Sequence, residues 1–255
     1  INPKTIVAEE LMFMPNISVD CVILGFHERY LKVLLYKNKQ SDKWMLPWGF
    51  VGKEEGVDDA ALRVLSSRTG LENVYLKQFH LFGKKYNENT ENTTATIKSL
   101  MLESETGNWN LQRFLSLGYY ALVKYDSVLL KTDEDESTDW FDIQNLPALF
   151  SDHKEQIEAA VDAIKQQLEY IPIGFELLTE DFTMPELRSI YDAIIGKKLD
   201  RRNFQRKMLA SGIMIPLNET RKSGAHKSPN LYRFDEDKYE KARKYGLHLV
   251  VFKMK

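Results

Sequence analysis

The chain of 255 residues contains a single cysteine, Cys21, so it cannot form an internal disulfide, which fits a reducing compartment. No apolar run approaches the roughly 18 residues that a membrane-spanning helix needs. The first residues show no basic segment followed by an apolar core, which would indicate an export signal. The five histidines are scattered without the spacing of metal ligands. These absences predict a cytoplasmic protein with no membrane partner and no His-based metal site, and we expect no cofactor.

Charge is distributed unevenly along the chain, although the net charge is only −2. Residues 171–255 hold 17 Lys and Arg against 11 Asp and Glu, whereas the first 170 residues hold 18 against 26. An acidic body that carries a basic tail predicts that only the tail approaches a polyanion such as a nucleic acid.

Residues 44–71 predict a loop that leads into an amphipathic helix. Apolar side chains recur there at the i, i+3, i+4, i+7 and i+8 spacing that places them on one helical face. These side chains are Val57, Ala60, Ala61, Val64 and Leu65. Gly70 follows the stripe and is expected to end the helix, because glycine adopts the left-handed conformation of a helix C-cap without strain.

The spacing within this stretch resembles the Nudix box, the loop–helix signature of Nudix pyrophosphohydrolases. The matching positions are Gly49, Glu55, Arg63, Gly70 and Leu71. The alternative is an ordinary amphipathic helix that matches these five positions by chance. The resemblance implies that the surrounding residues form a domain of the Nudix fold.

Three positions depart from the family's box. The family continues after the Arg with a Glu and places a Glu pair on the next turn, whereas this chain has Val64, Ser67 and Arg68. Carboxylates at these positions would lie on one helical face and gather magnesium, which neutralises a diphosphate and activates water. The residues present cannot do so, and we therefore expect a retained frame with no catalytic residues and no metal. An active hydrolase would need replacement carboxylates from elsewhere, such as Glu103 or Glu105.

The first 170 residues predict one α/β domain. Strand-like runs lie on both sides of the box helix, and a helix with one apolar face is predicted from Ser151 or Asp152 to about Tyr170. Strands around one helix, followed by a further helix, predict an α/β/α sandwich. The acidic run Asp133–Glu136 is interpreted as a solvated turn, and residues 84–110 as an excursion with a mobile tip. The strand-like runs are Ser18–Phe26, Leu31–Tyr36, Val74–Phe82 and Phe114–Val123.

Residues 171–255 predict a separate domain. Thr183 is a candidate N-cap for one helix and Asp200 for a second, in which Phe204 and Met208 face inward. Two short strand-like runs, I-M-I-P-L and L-Y-R-F, follow and enclose a basic loop of small residues. Helix, turn, helix and hairpin make up the plan of a winged helix-turn-helix.

The second helix of this domain presents a polar front opposite its apolar back, as a recognition helix in the DNA major groove requires. Arg suits guanine, whereas Asn and Gln suit adenine. The candidate DNA-binding residues on the helix are Arg201, Arg202, Asn203, Gln205, Arg206 and Lys207. Those on the wing, expected on phosphates or in the minor groove, are Arg221, Lys222, His226 and Lys227. The alternatives are a solvated basic helix beside a surface hairpin, or a winged helix that docks a protein.

Taken as a whole, the chain resembles the Nudix-related transcriptional regulators of the NrtR type. Matching stretches include V-D-C-V-I-L-G-F, W-M-L-P-W-G-F-V and L-D-R-R-N-F-Q-R-K-M-L-A, and the matches cover nearly all of residues 17–235. The resemblance implies a Nudix-like effector-binding domain over residues 1–170 and a winged-helix DNA-binding domain over 171–255. It also implies a homodimer that represses transcription from a palindromic double-stranded DNA operator. The effector would be an ADP-ribose-type nucleotide or a sugar such as L-arabinose, and the arabinose-responsive branch of the family is the expected one.

One further departure concerns the effector pocket. The family usually has a Gly pair after Leu-Pro, where this chain has Trp48 followed by Gly49. An indole narrows the space for a diphosphate and offers a flat apolar face on which a sugar ring stacks. We therefore predict a pentose pocket with Trp48 as the platform and Glu55 or Arg63 bonding hydroxyls, in a regulator of sugar utilisation. The alternative is that Trp48 only fills the core.

Overall fold

The computed structural model describes residues 12–39, 41–72, 74–83, 115–130, 136–168, 171–221 and 228–246. The chain divides into two units, and each is described by itself. The first unit is formed by residues 1–24 with 32–160, and the second by residues 25–31 with 161–255. The excursion predicted at residues 84–110 lies outside the described residues. The domain bounds at 1–170 and 171–255 stay a prediction.

A mixed β-sheet forms the centre of the first unit. Its described strands follow the order β4-β5-β1-β2-β6, and β3 also pairs with β1. β1 runs parallel to β5, whereas the β1–β3, β2–β6 and β4–β5 pairs are antiparallel. β1 is therefore the central strand, with three neighbours. The strands are β1 (Phe13–His27), β2 (Tyr30–Asn38), β3 (Trp48–Gly52), β4 (Leu76–Phe82), β5 (Leu115–Leu122) and β6 (Glu136–Asp142).

Among the described residues, two α-helices accompany this sheet, α1 (Val57–Thr69) and α2 (His153–Gln167), and α2 continues into the second unit. Because side chains alternate along a strand, neighbouring residues of β1 point to opposite faces of the sheet. Cys21 belongs to the buried cluster that contains the apolar residues of α1. Asp20 faces the other way and accepts a hydrogen bond of 2.8 Å from Gln156 of α2. A helix therefore covers each face, and the predicted α/β/α sandwich is confirmed.

The ends and the apolar face of α1 follow from its sequence. Gly56 precedes the helix, and Gly70 ends it with a φ of 71°, as predicted. Four members of the predicted apolar stripe are buried: Ala60, Ala61, Val64 and Leu65. Val57, the first residue of the helix, is 36% exposed, so the buried part of the stripe begins at Ala60.

The described part of the second unit contains three further helices and a small antiparallel sheet of order β7-β9-β8. The predicted succession of helix, turn, helix and hairpin is confirmed. The third helix and the three-residue strand β7 were not predicted from the sequence. None of the described helices has the length and apolar character that a membrane crossing requires. The elements are β7 (Asp181–Thr183), α3 (Met184–Ile195), α4 (Arg201–Ala210), β8 (Met214–Thr220), β9 (Asn230–Phe234) and α5 (Glu236–Tyr245).

Side-chain caps determine where α3 and α4 begin, and both predicted N-caps are confirmed. The Glu186 N–H donates to the Thr183 hydroxyl at 3.4 Å, and the Thr183 N–H donates to the Glu186 carboxylate at 2.7 Å. Asp200 accepts the N–H of Asn203 at 2.8 Å. The two helices then pack together through the rings of Tyr191 and Phe204, whose centroids lie 5.2 Å apart.

We expect Thr183→Val to lower the free energy of unfolding by about 1 kcal/mol, because it removes the oxygen that caps α3 and keeps the side-chain shape. Urea denaturation followed by circular dichroism would measure the loss. Thr220→Val is the matched control, since Thr220 is exposed at the end of β8. Equal losses in the two variants would contradict the capping role.

Candidate functional site

Arg63 of α1 and Glu55 of the preceding loop form a double hydrogen bond. Arg63 Nε lies 3.0 Å from Glu55 Oε2, and Nη2 lies 2.5 Å from Oε1. Arg63 Nη2 also donates to the Phe50 carbonyl, and the Gly52 N–H donates to Glu55 Oε1, both at 2.7 Å. The guanidinium, helped by this N–H, holds the pKa of Glu55 below its usual value. The structure thus brings together the two residues predicted to bond effector hydroxyls, but each already bonds the other.

The three positions that depart from the Nudix box lie along α1. Val64 is buried in the core cluster, and the Ser67 hydroxyl donates to the Val64 carbonyl at 2.8 Å. Arg68 forms an ion pair with Glu136 of β6, and its guanidinium lies 4.2 Å from the centre of the Tyr36 ring. Arg68, which is paired with Glu136 and lies over the Tyr36 ring, therefore occupies one of the positions where the family's box has a metal-binding Glu.

Glu136 corrects one interpretation of the sequence. It belongs to β6 and is paired with Arg68, with 32% of its side chain exposed, so the solvated-turn interpretation is wrong for this residue. Residues 133–135 lie outside the described part of the chain. The candidate replacement carboxylates Glu103 and Glu105 lie outside it too. Within the described ranges, no group of three or more His, Cys, Asp and Glu side chains is arranged to hold a metal ion.

Trp48 opens β3 and is half-buried. Its ring meets the Phe50 ring edge-on, with centroids 5.3 Å apart. Burial raises the pKa of the Tyr36 hydroxyl, and a hydrogen bond with the Trp48 side chain acts in the opposite direction. An added Cβ at Gly49 would lie 2.7 Å from Val64 Cγ2, so glycine is what lets this loop lie against α1. These contacts support the core-filling interpretation of Trp48 at least as well as the predicted sugar platform.

The residues before β3 are also hydrogen-bonded to the first residue of α2 and to the segment that precedes this helix. The Leu46 N–H donates to His153 Nδ1 at 2.9 Å, and the Trp44 N–H donates to the Ala148 carbonyl at 3.0 Å. Because Nδ1 accepts a hydrogen bond, it carries no proton in this arrangement. Burial lowers the pKa of the His153 imidazole and so favours the same neutral form. The segment that leads into Trp48 is therefore hydrogen-bonded to α2, the helix that continues into the second unit.

Asp20 is a buried carboxylate that the sequence pattern did not single out. Its Cα partner on β3 is Trp48, and Gln156 Nε2 of α2 donates to its Oδ2 at 2.8 Å. Burial raises the pKa of Asp20, while His153 and the hydrogen bond from Gln156 oppose that shift. The available signal was one acidic residue within the apolar run V-D-C-V, since a buried polar group requires a partner. Asp20 and Gln156 give the site a second connection between the strand beside Trp48 and α2.

The helix α4 carries its polar side chains away from its buried ones. Phe204 and Met208 are buried, as predicted. Arg206 Nη2 donates to Asn203 Oδ1 at 2.8 Å, which holds two of the candidate DNA-binding side chains side by side. All six helix candidates are accessible: Arg201, Arg202, Asn203 and Arg206 are exposed, and Gln205 and Lys207 are half-buried.

Arg221, which follows β8, makes two contacts within the second unit. Its Nη1 pairs with Glu186 Oε1 at 2.5 Å, and its Nη2 donates to the Asp181 carbonyl at 2.6 Å. The guanidinium thus fastens the base of the wing to the start of α3, and a phosphate would compete for the same N–H groups. The remaining wing candidates, Lys222, His226 and Lys227, lie outside the described residues.

Two family profiles match the chain. The first, described as the NUDIX domain, matches residues 14–161, which is more than half of the chain. The chain belongs to the NUDIX domain family. The second profile, described as the NrtR DNA-binding winged helix domain, matches residues 174–234 of this Nudix protein. The predicted fold, a Nudix domain followed by a winged helix, is confirmed.

The Nudix protein is 24% identical over 233 residues to the ADPR responsive transcriptional repressor NtrR of Acinetobacter baylyi, covering 89% of this chain and 84% of that protein. Shewanella oneidensis NrtR complexed with a 27mer DNA shares its fold with a TM-score of 0.68 at 23% identity, over 88% of this chain and 95% of that one. A MutT/nudix family protein from Enterococcus faecalis has a TM-score of 0.60 at 20% identity, over 87% and 86%. These relatives give no support to the expected arabinose-responsive branch.

We expect Gly49→Ala to lower the free energy of unfolding by about 1–3 kcal/mol, because the added methyl would crowd Val64. Val64→Ala removes the crowded group, so the double variant should lose less stability than the two single variants together. Urea denaturation of the four proteins would complete this cycle. Strictly additive losses would show that the close approach of loop and helix is not what requires the glycine.

Proposed function

We propose that this protein is a DNA-binding transcriptional regulator whose Nudix domain binds an effector without hydrolysing it. The observation that carries the proposal is the pairing, in one chain, of an exposed basic face on α4 with a Nudix box that holds Arg68 where a metal ligand belongs. The winged-helix match at residues 174–234 and the likeness to a repressor of Acinetobacter baylyi support it.

An ADP-ribose-type nucleotide is the effector with the stronger support, since the Acinetobacter baylyi relative is named as ADPR responsive. The contacts of the box weaken the case for a sugar. Glu55 and Arg63 bond each other, and Trp48 packs edge-on against Phe50. L-Arabinose therefore has less support as the effector and serves as the competing ligand in the test.

The chemistry of the box accounts for binding without turnover. Nudix hydrolysis requires magnesium held by carboxylates, because the metal both neutralises the diphosphate and activates the attacking water. The Arg68 guanidinium places a positive charge at one of the box positions that hold a metal ligand, but the Glu136 carboxylate balances that charge. A guanidinium also has no vacant coordination position for a water molecule, so it cannot generate the nucleophile.

Hydrogen bonds connect the proposed effector site to α2, and effector binding would act through them. The box loop is bonded to His153 and Ala148, and Asp20, the strand partner of Trp48, is bonded to Gln156. These contacts reach α2 and the segment just before it, and α2 continues into the unit that carries α4. A shift of the loop on effector binding would therefore act on α2. Typical coupling of about 1–3 kcal/mol corresponds to roughly 5–150-fold weaker DNA binding.

The same proposal includes a homodimer on a pseudo-palindromic operator. Two recognition helices would then lie about 34–36 Å apart, or a multiple of that distance, to meet successive major grooves. Effector binding would change this spacing and release the operator, so that the protein acts as a repressor.

We expect calorimetry to detect binding of ADP-ribose and no heat with L-arabinose or D-xylose. Chelating divalent metal should leave the affinity unchanged, and the ADP-ribose should be recovered intact, because no step uses a metal-bound water. Binding heat from L-arabinose and none from ADP-ribose would instead identify the sugar as the effector. Magnesium-dependent cleavage of ADP-ribose would instead make the protein a hydrolase.

We expect Arg202→Ala and Arg206→Ala each to weaken gel-shift binding to an operator selected from a random DNA pool. A lost base contact costs about 1–3 kcal/mol on that operator, whereas a lost phosphate contact lowers the salt slope by about one. Lys154→Ala, which removes one positive charge from α2, is the matched control. If both arginine variants bind like the wild type, α4 is not the recognition helix.

A further inference from the structure

A groove with a volume of about 580 Å³ lies between α3, α4 and β9 in the second unit. Arg188 of α3, Arg201 and Gln205 of α4, and Asn230 of β9 line it together with apolar side chains such as Phe204. Arg188 precedes the helix-turn-helix turn, so the pattern of the recognition helix gives no reason to select it.

The charged side chains that line the groove are all cationic. Its two charged lining residues are both arginines, and none of the described Asp or Glu residues lines it. Arg201 is the first residue of α4 and is exposed, and Gln205 lies one turn later and is half-buried. Two guanidiniums with nearby amide groups suit an anion that accepts several hydrogen bonds.

The Arg188 side chain is buried at its Nε atom and remains partly exposed. Its Nε is buried and has no hydrogen-bond partner among the described residues. Asp192 Oδ2 lies 3.7 Å from this Nε, which is too long for a hydrogen bond, and Asp192 Oδ1 accepts the Leu199 N–H at 2.7 Å. The carboxylate therefore orients the guanidinium loosely, while 28% of the Arg188 side chain stays exposed where it lines the groove.

We propose that Arg188 and Arg201 together hold one backbone phosphate of the bound DNA in this groove. The proposal rests on the DNA-binding function proposed above and adds to it a contact made by α3. In a helix-turn-helix the recognition helix enters the major groove, and the helix before it crosses the backbone. A groove lined by one Arg from each helix lies where the two helices meet the same strand.

The recessed position of Arg188 favours a phosphate over a base edge. Base edges are read by side chains that project from the recognition helix, and on α4 these are the exposed Arg202 and Arg206. Arg188 belongs to α3 and is tethered towards Asp192. Its contact therefore contributes affinity and fixes the position of the protein on the duplex, without adding sequence preference.

Fluorescence anisotropy with the full chain and two labelled duplexes tests the proposal. One duplex is selected from a random pool with the wild-type protein, and the other is a scrambled sequence of the same length. We expect Arg188→Ala to weaken binding to both duplexes by a similar factor of about ten, and to reduce the salt slope by about one. Arg188→Lys, which keeps the charge but loses the fork of donors, should bind with intermediate affinity. Lys244→Ala removes one charge from α5, outside the groove lining, and is the control.

Each outcome is decisive. Unchanged affinity and salt slope in Arg188→Ala would overturn the phosphate contact and leave the proposed function standing. A loss on the selected duplex alone would also overturn it, because that pattern indicates a base contact. Failure of the wild-type protein to bind either duplex would refute the proposed function itself. If Arg188→Ala unfolds at a lower temperature than the wild type, Arg188→Gln replaces it, and the same comparison of duplexes applies.

Discussion

The double hydrogen bond between Glu55 and Arg63 fixes the position of the loop before α1. It joins the loop before α1 to the helix itself, and Arg63 also donates to the Phe50 carbonyl of β3. With the loop held, Gly49 lies against Val64 and Trp48 enters β3 beside the central strand. The frame of a Nudix box persists here through an ion pair and a close glycine contact, neither of which requires a metal.

The helix α1 keeps the position of a Nudix box helix but lacks the carboxylates that would bind the metal. Val64 stands where the family has a carboxylate, and it adds apolar area to the core instead. Arg68 brings a charge of the opposite sign to that of a metal ligand, and it is neutralised by Glu136 and covered by Tyr36. Ser67 satisfies its hydroxyl on the helix backbone. Each departure is compensated within the unit, so the helix keeps its place in the fold although the metal-binding carboxylates are gone.

Sequence reasoning succeeded where a local rule decides the outcome. Apolar spacing located α1 and α4, and capping residues located the helix ends, because both act over a single helical turn. It failed where the partner is remote in sequence. Arg68 and Glu136 are 68 residues apart, Asp20 and Gln156 are 136 apart, and no local pattern pairs them. The Trp48 side chain by itself suggests a sugar platform, whereas its surroundings come from Phe50 and from β1, the strand that pairs with β3.

Asp20 selects the alignment of β1 within the sheet. A slip of one residue would turn every side chain of the strand to the other face, and would carry this carboxylate into the apolar layer around Cys21. There it would lose the hydrogen bond from the Gln156 amide, and burying a carboxyl group without its partner is costly. One acidic residue in a central strand thus helps to set the pairing register, because it disfavours slipped pairings with all three neighbouring strands.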